Sequence, residues 1–118
     1  MPVSRVGHRC NDALMAMFAV TTAKGQAWDE SVGVREQRLF AEHARFMDGL
    51  VDRGVVVLGG PIESHSAQDV ALLAVESDTP DQVRSLFADD PWIVEHILVL
   101  GSVRAWTIWL ERPQIDDA

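Results

Sequence analysis

His43 lies inside an apolar stripe at helical spacing, with Leu39, Phe46, Met47 and Leu50 around it and charged residues on the other side. An imidazole there is either a core histidine bonded to a backbone carbonyl or a proton carrier, and a carboxylate partner decides which. Asp90 is a candidate, because a residue directly before a proline (Pro91) resists helical geometry and leaves its side chain free to reach beyond its own backbone. A carboxylate on one ring nitrogen fixes the tautomer, and the other nitrogen can then act as a general acid or base. No comparable signal exists elsewhere. Gly59-Gly60 lacks the wider glycine spacing, the following helix and the lysine of a phosphate loop. Ser64, just after Pro61, is the only suggestive nucleophile, and no GxSxG elbow supports it. His8, His43, His65 and His96 fall on four segments without an HxH or HxxxH pair, so no metal is expected.

The elements that must position these residues follow from periodicity and punctuation. Ala13 to Val20, prolonged by Thr21 and Thr22, is a short, wholly apolar run and reads as a central strand buried on both faces. Lys24 to Gly33 has turn formers without periodicity and reads as a loop free to move. A helix is expected from Val34 to Arg53-Gly54, where a basic residue followed by glycine marks a C-terminus. Val55 to Leu58 reads as a strand stopped by Gly59-Gly60-Pro61, followed by a polar turn over 62–68. Val70 to Val75 is a third strand, again apolar on both faces. Thr79-Pro80-Asp81-Gln82 is a capping sequence that starts a second helix ending near Asp89-Asp90-Pro91. Trp92 to Leu100 reads as a short helical turn and a connection, and Ser102 to Leu110 as a last strand, which sets Trp106 and Trp109 on opposite faces, one of them under a helix. The order βαββαβ predicts an α+β, ferredoxin-like antiparallel sheet of four strands with helices on one face. Two helices cover only that face, so a second copy, sheet against sheet, is the expected cover for the other.

The stretch 42–61, EHARFMDGLVDRGVVVLGGP, resembles the signature of the YciI-like (YCII-related) family: a helix-borne histidine (His43), a glycine eleven residues later (Gly54), and a strand ending in Gly-Pro (Gly60, Pro61). Asp89-Asp90-Pro91-Trp92 resembles the family's Asp-Pro-aromatic motif, and Arg104 stands where its last strand has a basic residue. The similarity runs from about residue 13 to 110. It implies a dimeric α/β barrel whose pocket, between helix and sheet, holds a His-Asp dyad, here His43 and Asp90, as active centre. Phe46, Gly60, Pro61, Ser64, Trp92 and Arg38 are the expected substrate-binding residues beside it. Two positions depart from the pattern. His96 replaces a small residue, often glycine, which would crowd the pocket or add a titrating group, and Phe40 replaces an arginine whose place Arg35 or Arg38 would take.

Length and charge set the outer bounds. At 118 residues the chain is one domain, divided into a polar leader (1–12), the folded region (13–111) and an acidic tail (112–118). Residues 1–54 hold seven basic and seven acidic side chains, whereas 55–118 hold three and eleven, so the net charge of −8 sits wholly in the second half. That argues against nucleic acid and against an anionic membrane. The leader has no apolar segment of a secretory signal, the longest apolar run is eight residues, and Cys10 has no partner, so a cytoplasmic chain is expected. The function implied is proton transfer on a small, cyclic organic molecule by a lyase or isomerase of dehydrochlorinase or muconolactone-isomerase type, without a cofactor and as a homodimer. The competing readings are a non-catalytic ligand-binding or structural module and, third, a haem- or flavin-dependent monooxygenase on the same barrel.

Overall fold

The computed structural model describes residues 16–63 and 68–113. Its elements are β1 (Ala16–Lys24), a 3-10 turn (Val34–Glu36), α1 (Phe40–Asp52), β2 (Val56–Pro61), β3 (Asp69–Ser77), α2 (Pro80–Phe87), α3 (Pro91–Val94) and β4 (Leu98–Ala105). The strands form one antiparallel sheet in the order β2-β3-β1-β4, so the two apolar runs are the central strands. On one face Phe18 stands opposite Val75 and Val20 opposite Leu73, and all four are buried. Leu50 of α1 and Val83 and Phe87 of α2 complete that core, each such side chain contributing about 1.5–3 kcal/mol by leaving water. Among the described residues only this face is covered. Met17, Ala19 and Thr21 alternate outward on β1 and are half-buried, so the expected burial of β1 on both faces is not met within one chain.

Local sequence explains where the helices begin and end. Thr79 caps α2, its hydroxyl accepting the Gln82 N–H at 3.1 Å with Pro80 in the first turn. Gly54 follows the C-cap of α1 at φ 78°, a left-handed position that glycine takes without steric cost. The helix expected from Val34 is interrupted: the 3-10 turn ends, Leu39 adopts φ 67°, and α1 starts at Phe40. The cause is Gln37. Its buried amide accepts the Asp29 N–H at 2.9 Å and donates to the carbonyls of Asp29 (2.8 Å), Val32 and Gly33 (both 3.3 Å). The same bonds tie down residues 29–33, and the Gly25 and Ala27 N–H groups, donating to the Ile97 and His96 carbonyls, hold the start of the loop that the sequence leaves free.

Three strand boundaries also differ from expectation. β2 runs through Gly59-Gly60-Pro61 instead of stopping there, because β2 is an edge, where proline is tolerated, and Gly59 pairs too closely with Leu73 for a side chain. A Cβ at Gly59 would clash with Leu73 Cδ2. β4 begins at Leu98, pairing with Lys24, and ends at Ala105, so Trp106 to Leu110 is not strand. Neither tryptophan there packs under a helix: Trp106 is 40% and Trp109 87% exposed. No helix among the described residues is long and apolar enough to cross a membrane.

Candidate active site

His43 is the fourth residue of α1, and Asp90 is the N-cap of α3. Pro91 holds Asp90 in extended geometry (φ −60°, ψ 126°), and its carboxylate turns back on the helix to accept the Trp92 N–H at 3.0 Å. The same carboxylate meets His43 Nδ1, at 3.0 Å to Oδ1 and 2.8 Å to Oδ2. Asp90 is 1% exposed, so this pair is shielded from water on the aspartate side. A carboxylate only accepts, so Nδ1 carries the hydrogen and donates it, which leaves the lone pair of the neutral ring on Nε2. Among the described residues Nε2 has no hydrogen-bond partner.

Aromatic packing holds the ring as well. The imidazole stacks on Trp92 with centroids 3.9 Å apart and planes 6° from parallel. Trp92 is itself immobilised, its indole N–H donating to the Arg38 carbonyl at 2.7 Å and its ring packing in a T-shaped pair with Trp28 and a tilted pair with Phe40, each 5.9 Å away. The dipeptide Asp90-Pro91 and the residue after it therefore supply both the partner and the platform of the histidine.

His43, Asp90 and Trp92 line a cavity of about 600 Å³ between α1, β2 and the middle of the sheet. Its walls are mainly apolar, with Phe40, Met47 and Val56 among them, and Thr22, Arg35 and Asp48 add polar groups. Of the residues expected to bind substrate, Gly60, Pro61 and Trp92 lie in this lining. Phe46 does not, because it packs against the core beside Leu50, and Met47, one turn from His43, takes the cavity side. Arg38 does not either: its guanidinium points outward to Glu95 at 3.4 Å, and only its carbonyl serves the site, through Trp92. Arg35 is the arginine of the lining. Ser64 falls outside the described residues.

His96 neither lines the cavity nor crowds it. It is exposed, at φ 63°, in the turn between α3 and β4, the left-handed conformation that favours a glycine. Thr22, Arg35, Phe40, Met47 and Asp48 were not legible as lining residues from their spacing alone, except that Met47 stands four residues after His43 on the same stripe. No group of three His, Cys, Asp or Glu side chains suited to a metal ion occurs among the described residues. No family model matches this chain, and no curated protein or solved structure matches it.

Proposed function

We propose that the chain is an acid–base enzyme of lyase or isomerase type acting on a small, cyclic organic molecule. The observation that carries this reading is a buried carboxylate bonded to one nitrogen of His43, while the other nitrogen has no partner among the described residues and the ring lines a cavity. In the proposed step Nε2 takes a proton from a substrate carbon, and the imidazolium that forms is stabilised by Asp90. The proton then returns to another position of the substrate, giving an isomer, or balances a departing group, giving an elimination product. Trp92 keeps the ring from turning away during the transfer.

The strand order β2-β3-β1-β4 is the order of the ferredoxin-like split βαβ arrangement, and together with the dyad it supports membership of the YciI-like family. A homodimer belongs to the same proposal, with the outer face of β1 and β3, where Met17, Ala19, Thr21 and Leu72 are half-buried, as its interface. Light scattering near twice the chain mass of 13.1 kDa is expected, and a single-chain mass at micromolar concentration refutes the dimer.

A screen of cyclic, lactone and halogenated substrates tests the activity. Replacement of His43 by alanine should lower turnover by roughly 10²–10⁴-fold, with a comparable loss in Asp90→Asn. Full activity in both variants refutes the proposal. Binding without turnover makes the cavity a ligand-binding site instead.

A further inference from the structure

Among the described residues, Thr22 is the one polar residue of the cavity lining whose side chain is buried and left without a hydrogen bond. It is 5% exposed, and its hydroxyl has no partner among the described residues. Buried hydroxyls are almost always paired, since an unpaired one forfeits the bonds it had in water. Thr22 stands in β1 opposite Ala71 of β3, which in turn pairs with Pro61 of β2, and all three line the cavity. The residue thus lies on the sheet wall, across from the helix that carries His43. More than one χ1 well is open to a threonine in a strand, and a one-well rotation carries the hydroxyl to the place the methyl held while the methyl moves to the hydrogen's place.

We infer that Thr22 is the polar anchor of the cavity's ligand, its hydroxyl donating to a carbonyl oxygen on a compact, otherwise apolar molecule. The donor inventory selects a carbonyl. His43 gives its ring hydrogen to Asp90 and presents an acceptor, Asp48 and Asp90 are acceptors, and the Trp92 indole N–H is committed to Arg38. Among the described lining side chains this leaves two donors, Arg35, which is exposed, and Thr22, which is buried. An anionic group suits the first and a neutral carbonyl the second. The inference rests on the proposed proton transfer for its chemical sense: a carbonyl acidifies the adjacent C–H, so an imidazole can remove that proton while the Thr22 hydroxyl holds the oxygen on which negative charge develops.

A matched pair of probes tests it without any turnover. Acetophenone and α-methylstyrene have the same shape and differ only in that a C=O replaces a C=CH2. Affinities are read from NMR shifts of the Ala71 and Met47 methyl groups in the full chain. The wild type should prefer acetophenone by roughly tenfold, the isosteric Thr22→Val should bind both equally, and Thr22→Ser should restore the preference. Thr22→Val should also melt higher than the wild type, because it loses an unpaired hydroxyl. Ser77 is buried and unpaired as well but does not line the cavity, so Ser77→Ala should leave the preference intact. No preference in the wild type, a preference that survives in Thr22→Val, or no binding of either probe overturns the inference. The preference in His43→Gln separates the two claims. If it persists, the anchor stands whatever becomes of the proton transfer; if it vanishes there while Thr22→Val retains it, the carbonyl is held by His43 and the anchor falls.

Discussion

Replacing Asp90 by alanine removes two interactions at once, whereas asparagine keeps an acceptor oxygen and removes the charge. The carboxylate accepts the Trp92 N–H as the cap of α3 and the Nδ1–H of His43, from a site 1% exposed. A lost N-cap costs about 1 kcal/mol, and a buried charge-assisted hydrogen bond about 2 kcal/mol. Asp90→Ala should therefore cost about 3 kcal/mol. Asparagine caps as well as aspartate, so Asp90→Asn should lose only the charge-assisted part, about 1–2 kcal/mol. With a urea m-value of about 1.5 kcal/mol/M for a small domain, the unfolding midpoint should fall by roughly 2 M in the alanine variant and about 1 M in the asparagine variant. A double-mutant cycle with His43→Ala should assign a coupling of about 2 kcal/mol to the pair. Equal midpoints for the two Asp90 variants, or a coupling near zero, would refute the division of roles between cap and dyad.

Other expectations follow from single contacts. Gly54→Ala places a side chain in open space but at φ 78°, so chemical denaturation should show a purely conformational loss of roughly 1–2 kcal/mol. His96→Gly reverses that situation at φ 63°, and the same measurement should show a neutral or stabilised protein. Gln37→Ala removes four hydrogen bonds to the 29–33 loop, so amide exchange should accelerate there while the sheet keeps its protection. Asp29 accepts from the Ser31 hydroxyl at 2.6 Å and from its N–H at 2.9 Å, which hold its carboxyl below the ordinary range, the hydroxyl bond more than the backbone one. Stability from this group is present above the ordinary carboxylate pKa and lost as acid carries the pH down through the lowered one. In Ser31→Ala an NMR titration should find the Asp29 midpoint shifted upward, and an unchanged midpoint would show that the hydroxyl bond is not its main cause.

What could be read in advance depended on the range of each interaction. Thr79-Pro80 and Arg53-Gly54 signal helix ends through contacts within four residues, and both stand where spacing put them. The apolar runs of β1 and β3 led to the central strands because burial selects composition directly. The end of β2 was not legible, since Gly59 answers to Leu73 in another strand and not to its chain neighbours. The break before α1 was hidden for the same reason: Gln37 looks like a surface helix residue until its amide is seen to bond three backbone carbonyls of the preceding loop. His43 and Asp90 were visible as types, one in an apolar stripe and one before a proline. Their meeting is a tertiary contact across 47 positions, which no local pattern contains. Phe46 and Arg38 failed as lining residues because helical spacing sets a side and not which neighbour fills it, whereas Thr22 drew no notice because a threonine ending an apolar run reads as strand.

The most direct test of the dyad is the tautomer of His43, observed by long-range nitrogen–proton NMR correlation at a pH where the ring is neutral. The hydrogen should reside on Nδ1, with Nε2 showing the shift of an unprotonated nitrogen, and Asp90→Asn should lose that preference. A wild-type ring that carries its hydrogen on Nε2 would contradict the account, because the nitrogen meant to accept the substrate's proton would already hold one.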